Sequence, residues 1–146
     1  VKRPWLFLGG VFGFLAVAAG AFAAHMLRGR VESGGMSPRE FEAFQTGAEY
    51  QLVHAIALLA VHCTAAGRSA FPLNLAGASF AAGILLFSGS LYAYALSGQR
   101  WLGMVAPIGG TAFLVGWAAL AFAAFRRVRP ETTSELKTAP TNPEDA

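Results

Sequence analysis

Cysteine is nearly absent: Cys63 stands alone among 146 residues, which excludes an internal disulfide and any metal cluster built on thiolates. Charge is scarce as well. Only 13% of the residues are Asp, Glu, Lys or Arg, and between Thr46 and Phe125 the acidic and basic side chains other than histidine are Glu49, Arg68 and Arg100. Each of these falls where an apolar run begins or ends. There is no serine-hydrolase elbow, phosphate-cradling glycine loop or zinc-type histidine and cysteine spacing, so the sequence gives no sign of a catalytic residue or a metal site. What fills the chain instead is apolar: 55% of the residues are hydrophobic and the mean hydropathy is +0.48, a balance that makes lipid the expected solvent.

The formal charge of +3 does not point to nucleic acid, because the basic residues form short collars beside apolar runs and no continuous face. Lys2 and Arg3, the apolar run from Trp5 to Leu27 and Ala21-Phe22-Ala23 imitate a secretory signal. The run is long enough to cross a bilayer, so it is read as a first span over about residues 5–27. Gly9, Gly13 and Gly20, with Ala16 and Ala24, give it a small-residue face for close helix packing. Ser37-Pro38-Arg39-Glu40 is a capping box that starts an interfacial helix over 38–46, leading into a second span to about residue 66. Further spans are expected at about 72–97 and 102–125, and the polar stretch 130–146 is expected to order only on a partner. The prediction is an all-α polytopic membrane protein, an antiparallel bundle of four transmembrane helices over residues 1–129. Charge asymmetry places both termini in the cytoplasm, with the Arg28 to Glu42 region opposite.

Antiparallel order brings the polar residues to one depth. His25 closes the first span, Glu49, Tyr50, Gln51 and His54 open the second, Ser88, Ser90 and Tyr92 lie late in the third, and Thr111 lies early in the fourth. On the second helix Gly47, Tyr50, Gln51, His54 and Leu58 share one face, so these groups converge on the bundle interior. Gly89, Gly109 and Gly110 are read as helix-packing positions, and Pro107 loosens the helix around it.

The same residues carry a resemblance. GAFAAHML (20–27), FQTGAEYQLVHAIALL (44–59), LFSGSLY (86–92) and PIGG (107–110) followed by Gly116-Trp117 resemble the small bacterial and mitochondrial membrane proteins of domain of unknown function 423, the transmembrane protein 256 family. The resemblance covers all four expected spans and implies a four-helix membrane protein with no assigned activity. The chain departs from the family pattern at Ala23, Met26 and Ala106, and its first connector is longer.

Two function classes follow. The favoured one is a non-catalytic component of the bacterial inner membrane that packs against other membrane proteins or a second copy of itself, its polar cluster fixing the bundle. No cofactor is expected. The alternative is a small-molecule, proton or haem site on the polar cluster, with His25 and His54 as the axial ligand pair. Glu49 fits headgroup water better than a proton relay, and His62 beside Cys63 is read as a lone hydrogen-bonding group.

Overall fold

The computed structural model describes residues 4–64 and 70–125. The basic collars at Lys2-Arg3, Arg68 and Arg126 to Arg129, the end of the second expected span and the tail 130–146 lie outside the described residues. Within them the chain is all-α and forms four rods: α1 (Pro4–Glu32), α2 (Pro38–Thr64), α3 (Phe71–Ser97) and α4 (Arg100–Phe125).

Local chemistry sets the ends of these rods. Pro4 opens α1 where its missing N–H costs nothing, and α1 continues past the apolar run through the charged residues Arg28 to Glu32. Helical hydrogen bonding therefore outlasts the apolar run by a turn. Gly34, with φ of 75°, reverses the chain, and the capping box then starts α2: the Ser37 N–H donates to Glu40 Oε2 at 2.8 Å and the Glu40 N–H to Ser37 Oγ at 3.3 Å. Gly98, with φ of 70°, ends α3 in the left-handed conformation and donates its N–H to the Tyr94 carbonyl at 2.8 Å. In α4 the helix breaks at Met104-Val105, because Pro107 has no N–H for the carbonyl four residues back.

Two π-turns, Ala23–Leu27 in α1 and Ile84–Ser88 in α3, interrupt the α-helical pattern. Each ends where a backbone N–H reaches back five residues, Arg28 to Ala23 and Gly89 to Ile84.

α1, α3 and α4 are long and apolar enough to cross a membrane, whereas α2 falls short by composition. Arg39, Glu40, Glu42, Gln45, Glu49, Gln51, His54 and His62 all lie on α2. The expectation of four spans is thus met by three rods on length and composition.

Contacts between neighbouring rods ascend one as they descend the other, so the rods are antiparallel. Gly9 and Phe22 of α1 meet Leu59 and Phe44 of α2, and Gly83 and Gly116 pair α3 with α4 through Phe113 and Phe80. α1 packs along α2, α2 along α3, and α4 mainly along α3, reaching α2 through Phe113 and Trp117. One apolar cluster is built on Leu58, Val61, Leu73, Phe80 and Phe113, and a second on Leu27, Met36, Phe44 and Ala95. Gln51 and His54 lie between them on α2.

Small residues decide how closely the rods approach. A Cβ on Gly9 would stand 2.6 Å from Leu59 Cδ2 and 3.0 Å from the Ala55 carbonyl, and one on Gly109 would collide with the Phe87 backbone N. Gly13 and Gly110 have only ordinary contacts, at 3.9 Å, and Gly20 and Gly89 meet no described atom within 4 Å. Gly20 and Gly89 therefore pack on no other helix among the described residues. Gly77, Gly83 and Gly116, which the spacing argument passed over, do pack across helices: aromatic rings of Trp5, Phe113 and Phe80 occupy the space of their missing side chains.

Candidate functional site

α2 carries the site because its interior face holds the two most buried hydrogen-bonding side chains of that helix, Gln51 at 5% exposure and His54 at 4%. Gln51 joins three helices. Its Nε2 donates to the Phe12 carbonyl of α1 at 2.9 Å, and its Oε1 accepts from the Tyr92 hydroxyl of α3 at 3.0 Å. Only this orientation of the amide satisfies both neighbours, since the reverse would face carbonyl oxygen to carbonyl oxygen.

His54 joins α2 to α4. The Trp117 indole Nε1–H, which can only donate, lies 3.2 Å from His54 Nε2, so Nε2 is the acceptor and the proton sits on Nδ1. Nδ1–H then donates to the Tyr50 carbonyl at 2.8 Å. Both ring nitrogens are occupied in a neutral imidazole, and the ring stacks on Phe113 with centroids 3.5 Å apart and planes 11° apart. Beside it lies an open groove of ≈ 450 Å³ whose walls include Tyr50, Phe87, Pro107, Thr111, Leu114 and Trp117. Its lining is mostly apolar and aromatic, and Tyr50 packs on Phe87 at 4.7 Å between centroids.

The other sequence candidates divide. Tyr92 joins Gln51, and Tyr50 supplies its carbonyl to His54 and its ring to the groove. Thr111 lines the groove but bonds the Pro107 carbonyl of its own helix at 2.9 Å. Ser90 bonds the Phe87 carbonyl at 3.0 Å, accepting no partner from another helix, and Ser88 Oγ is buried without a partner among the described residues. Ser88 closes the α3 π-turn and Ser90 lies two residues beyond it, and neither bonds the cluster among the described residues. Glu49 is exposed, as is Cys63; His62 is half-buried with Nδ1 unpartnered among the described residues.

His25 requires a correction. It is exposed in the π-turn of α1, three residues beyond Phe22, which meets Phe44. That level is about thirteen residues along α2 from His54, roughly 20 Å at 1.5 Å per residue. The two imidazoles are too far apart to ligate one iron. Among the described residues no three His, Cys, Asp or Glu side chains come together as a metal site.

Sequence reasoning missed Trp117. Its signal was present: Phe113 and Trp117 stand four apart on one face, and an indole turned toward a bundle needs an acceptor, for which His54 is the suitable partner.

Comparison with known proteins places this chain in a family. Residues 19–110 match the family model described as protein of unknown function (DUF423). The chain is 44% identical over 126 residues to a UPF0382 membrane protein of Haemophilus influenzae, covering 86% of this chain and 97% of that protein. It is 38% identical over 134 residues to the UPF0382 inner membrane protein YgdD of Escherichia coli K12, covering 92% and 98%. A UPF0382 membrane protein of Staphylococcus aureus is 36% identical over 124 residues, covering 85% and 97%. No solved structure matches the chain. A family model spanning most of the chain, and relatives matched over nearly their whole length, make this protein a member of the DUF423 (UPF0382) family of membrane proteins.

Proposed function

We propose that the protein is a non-catalytic four-span component of the bacterial inner membrane, in which α2 crosses the bilayer beside the other three rods and the outer faces of the bundle pack on other membrane proteins or a second copy. The observation that carries this reading is the set of hydrogen bonds by which Gln51 and His54 of α2 reach α1, α3 and α4. Gln51 spends one amide N–H and its carbonyl oxygen on Phe12 and Tyr92, and His54 spends both ring nitrogens on Tyr50 and Trp117. Polar side chains in a membrane are retained at a cost, and here Gln51 and His54 tie helices together. α2, at 27 residues, is about 40 Å long, more than the roughly 30 Å of a hydrocarbon core. Gln51 and His54, its buried polar groups, face protein, so that stretch of α2 is compatible with a span shielded by α1 and α3.

The outer face of α1 supports the packing role. Phe7, Phe14 and Val17 are exposed there, and Gly10 and Gly20 have open space above them. Small residues are what membrane helix interfaces use for close approach. Photo-crosslinking from residue 10 in native membranes tests this. Protein adducts of defined mass are expected and should disappear with Gly20→Leu; adducts to lipid alone contradict the packing role.

One observation favours a second reading, a small apolar ligand beside His54. The aromatic groove is large enough for a ring-sized molecule and contains the Tyr50 side chain. Binding there would use the groove wall, because both His54 nitrogens already have partners.

A further inference from the structure

A second cavity, of ≈ 460 Å³, lies at the end of the bundle where α2 starts and α3 turns into α4. Its lining is Ser37, Arg39, Glu40, Tyr94, Gly98 and Arg100. The two guanidinium groups come from different helices and neither forms an ion pair or hydrogen bond in the described structure. Arginine offers donors and no acceptor, and both side chains are exposed, so their donors are open to an external partner. The Tyr94 hydroxyl adds another polar group without a partner among the described residues. The one acidic lining residue, Glu40, is committed to the α2 cap through the Ser37 N–H at 2.8 Å. Two fixed positive charges against one negative leave the cavity cationic. Trp101, exposed and next to Arg100, marks this end of the rods as the membrane boundary.

We propose that Arg39 and Arg100, with Tyr94 between their helices, form a binding site for a phosphate group, the chemistry of an anionic phospholipid headgroup. The planar guanidinium matches two phosphate oxygens at once, and a pair of them from two helices clasps the α2 start to the α3–α4 turn. This inference is independent of the packing role proposed above and needs only that the chain lie in a membrane.

Native mass spectrometry of the full chain, purified in neutral detergent with equal phosphatidylglycerol and phosphatidylcholine, tests it. The wild type should retain phosphatidylglycerol preferentially, and the double variant Arg39→Gln/Arg100→Gln should lose about tenfold in that preference, as loss of charge-assisted bonds implies. Arg39→Lys/Arg100→Lys, which keeps the charge, should retain part of it and controls for folding. An excess of inorganic phosphate separates the sources. If it leaves the bound lipid in place, the site takes a headgroup; if it displaces the lipid and binds the wild type but not the glutamine variant, the site takes free phosphate. Equal retention of both lipids by the wild type overturns the proposal, as does unchanged preference in the glutamine variant or equal loss in the lysine and glutamine variants.

Discussion

The Gln51 amide shows how much one residue can hold. It bonds a backbone carbonyl of α1 and a hydroxyl of α3, so its removal should be felt by three helices at once. Polar contacts between membrane helices average about 0.6 kcal/mol and reach about 1.7, because separated helices also find partners. Tyr92→Phe should therefore cost about 0.6 kcal/mol in a denaturant titration in detergent. Gln51→Leu, which leaves the Tyr92 hydroxyl without its acceptor, should cost about 1–2 kcal/mol. The double variant should fall short of the sum, since both changes remove the same bond; additivity would mean that the Gln51–Tyr92 bond carries no energy. Trp117→Phe should cost about as much as Tyr92→Phe, because it removes one donor from His54. Gln51 and His54 were legible in the sequence because three-and-four spacing put them on one face. Their partners were only half legible. Tyr92 is polar and announces itself, but the Trp117 indole sits in an apolar run where an aromatic reads as lipid-facing, and a backbone carbonyl such as that of Phe12 has no sequence signature.

At the level of helices, caps and turns could be read directly and packing could not. Ser37 and Glu40 form the box that their spacing predicts, and its electrostatics give a pH test. Hydrogen bonding from the Ser37 N–H, then from the Ser37 side chain, holds the Glu40 carboxyl below the usual carboxylate range, with Arg30 contributing less. A depressed folded-state pKa stabilises the α2 start fully above the ordinary carboxylate pKa, and that contribution fades as pH falls through the lower folded value. Hydrogen exchange at the first turn of α2 should accelerate on acidification relative to mid-helix amides, and Glu40→Gln should abolish the difference. Glycines were harder to read, because what matters is the ring or backbone opposite. Gly109→Ala, whose Cβ would meet the Phe87 backbone, should cost about 1–3 kcal/mol. Gly89→Ala, with open space, should be neutral or stabilising by up to about 1 kcal/mol. Equal effects at the two sites would contradict the close α3–α4 approach. The π-turns were invisible in the sequence, since an extra residue in one turn leaves composition unchanged. Ser88 and Ser90, expected at the depth of the cluster, bond within α3 or find no partner among the described residues.

For the molecule as a whole, membrane residence and antiparallel order follow from long apolar runs and short connectors. Whether α2 crosses is where composition and packing part. Its charged and amide residues take it below the other rods in apolar character, yet it runs between α1 and α3 with Gln51 and His54 turned inward. We propose from the positive charge near the two termini that they face the cytoplasm and the α1–α2 connector lies outside; an engineered cysteine at Ser33 should then label from the periplasmic face. The most direct measurement compares two such cysteines, Ser33→Cys and Gln99→Cys, in a Cys63→Ser background with a membrane-impermeant thiol reagent. A spanning α2 puts two crossings, α2 and α3, between these positions, so both should label from the same face of the membrane. Labelling from opposite faces would mean that α2 does not cross, and the four-span bundle held by Gln51 and His54 would be wrong.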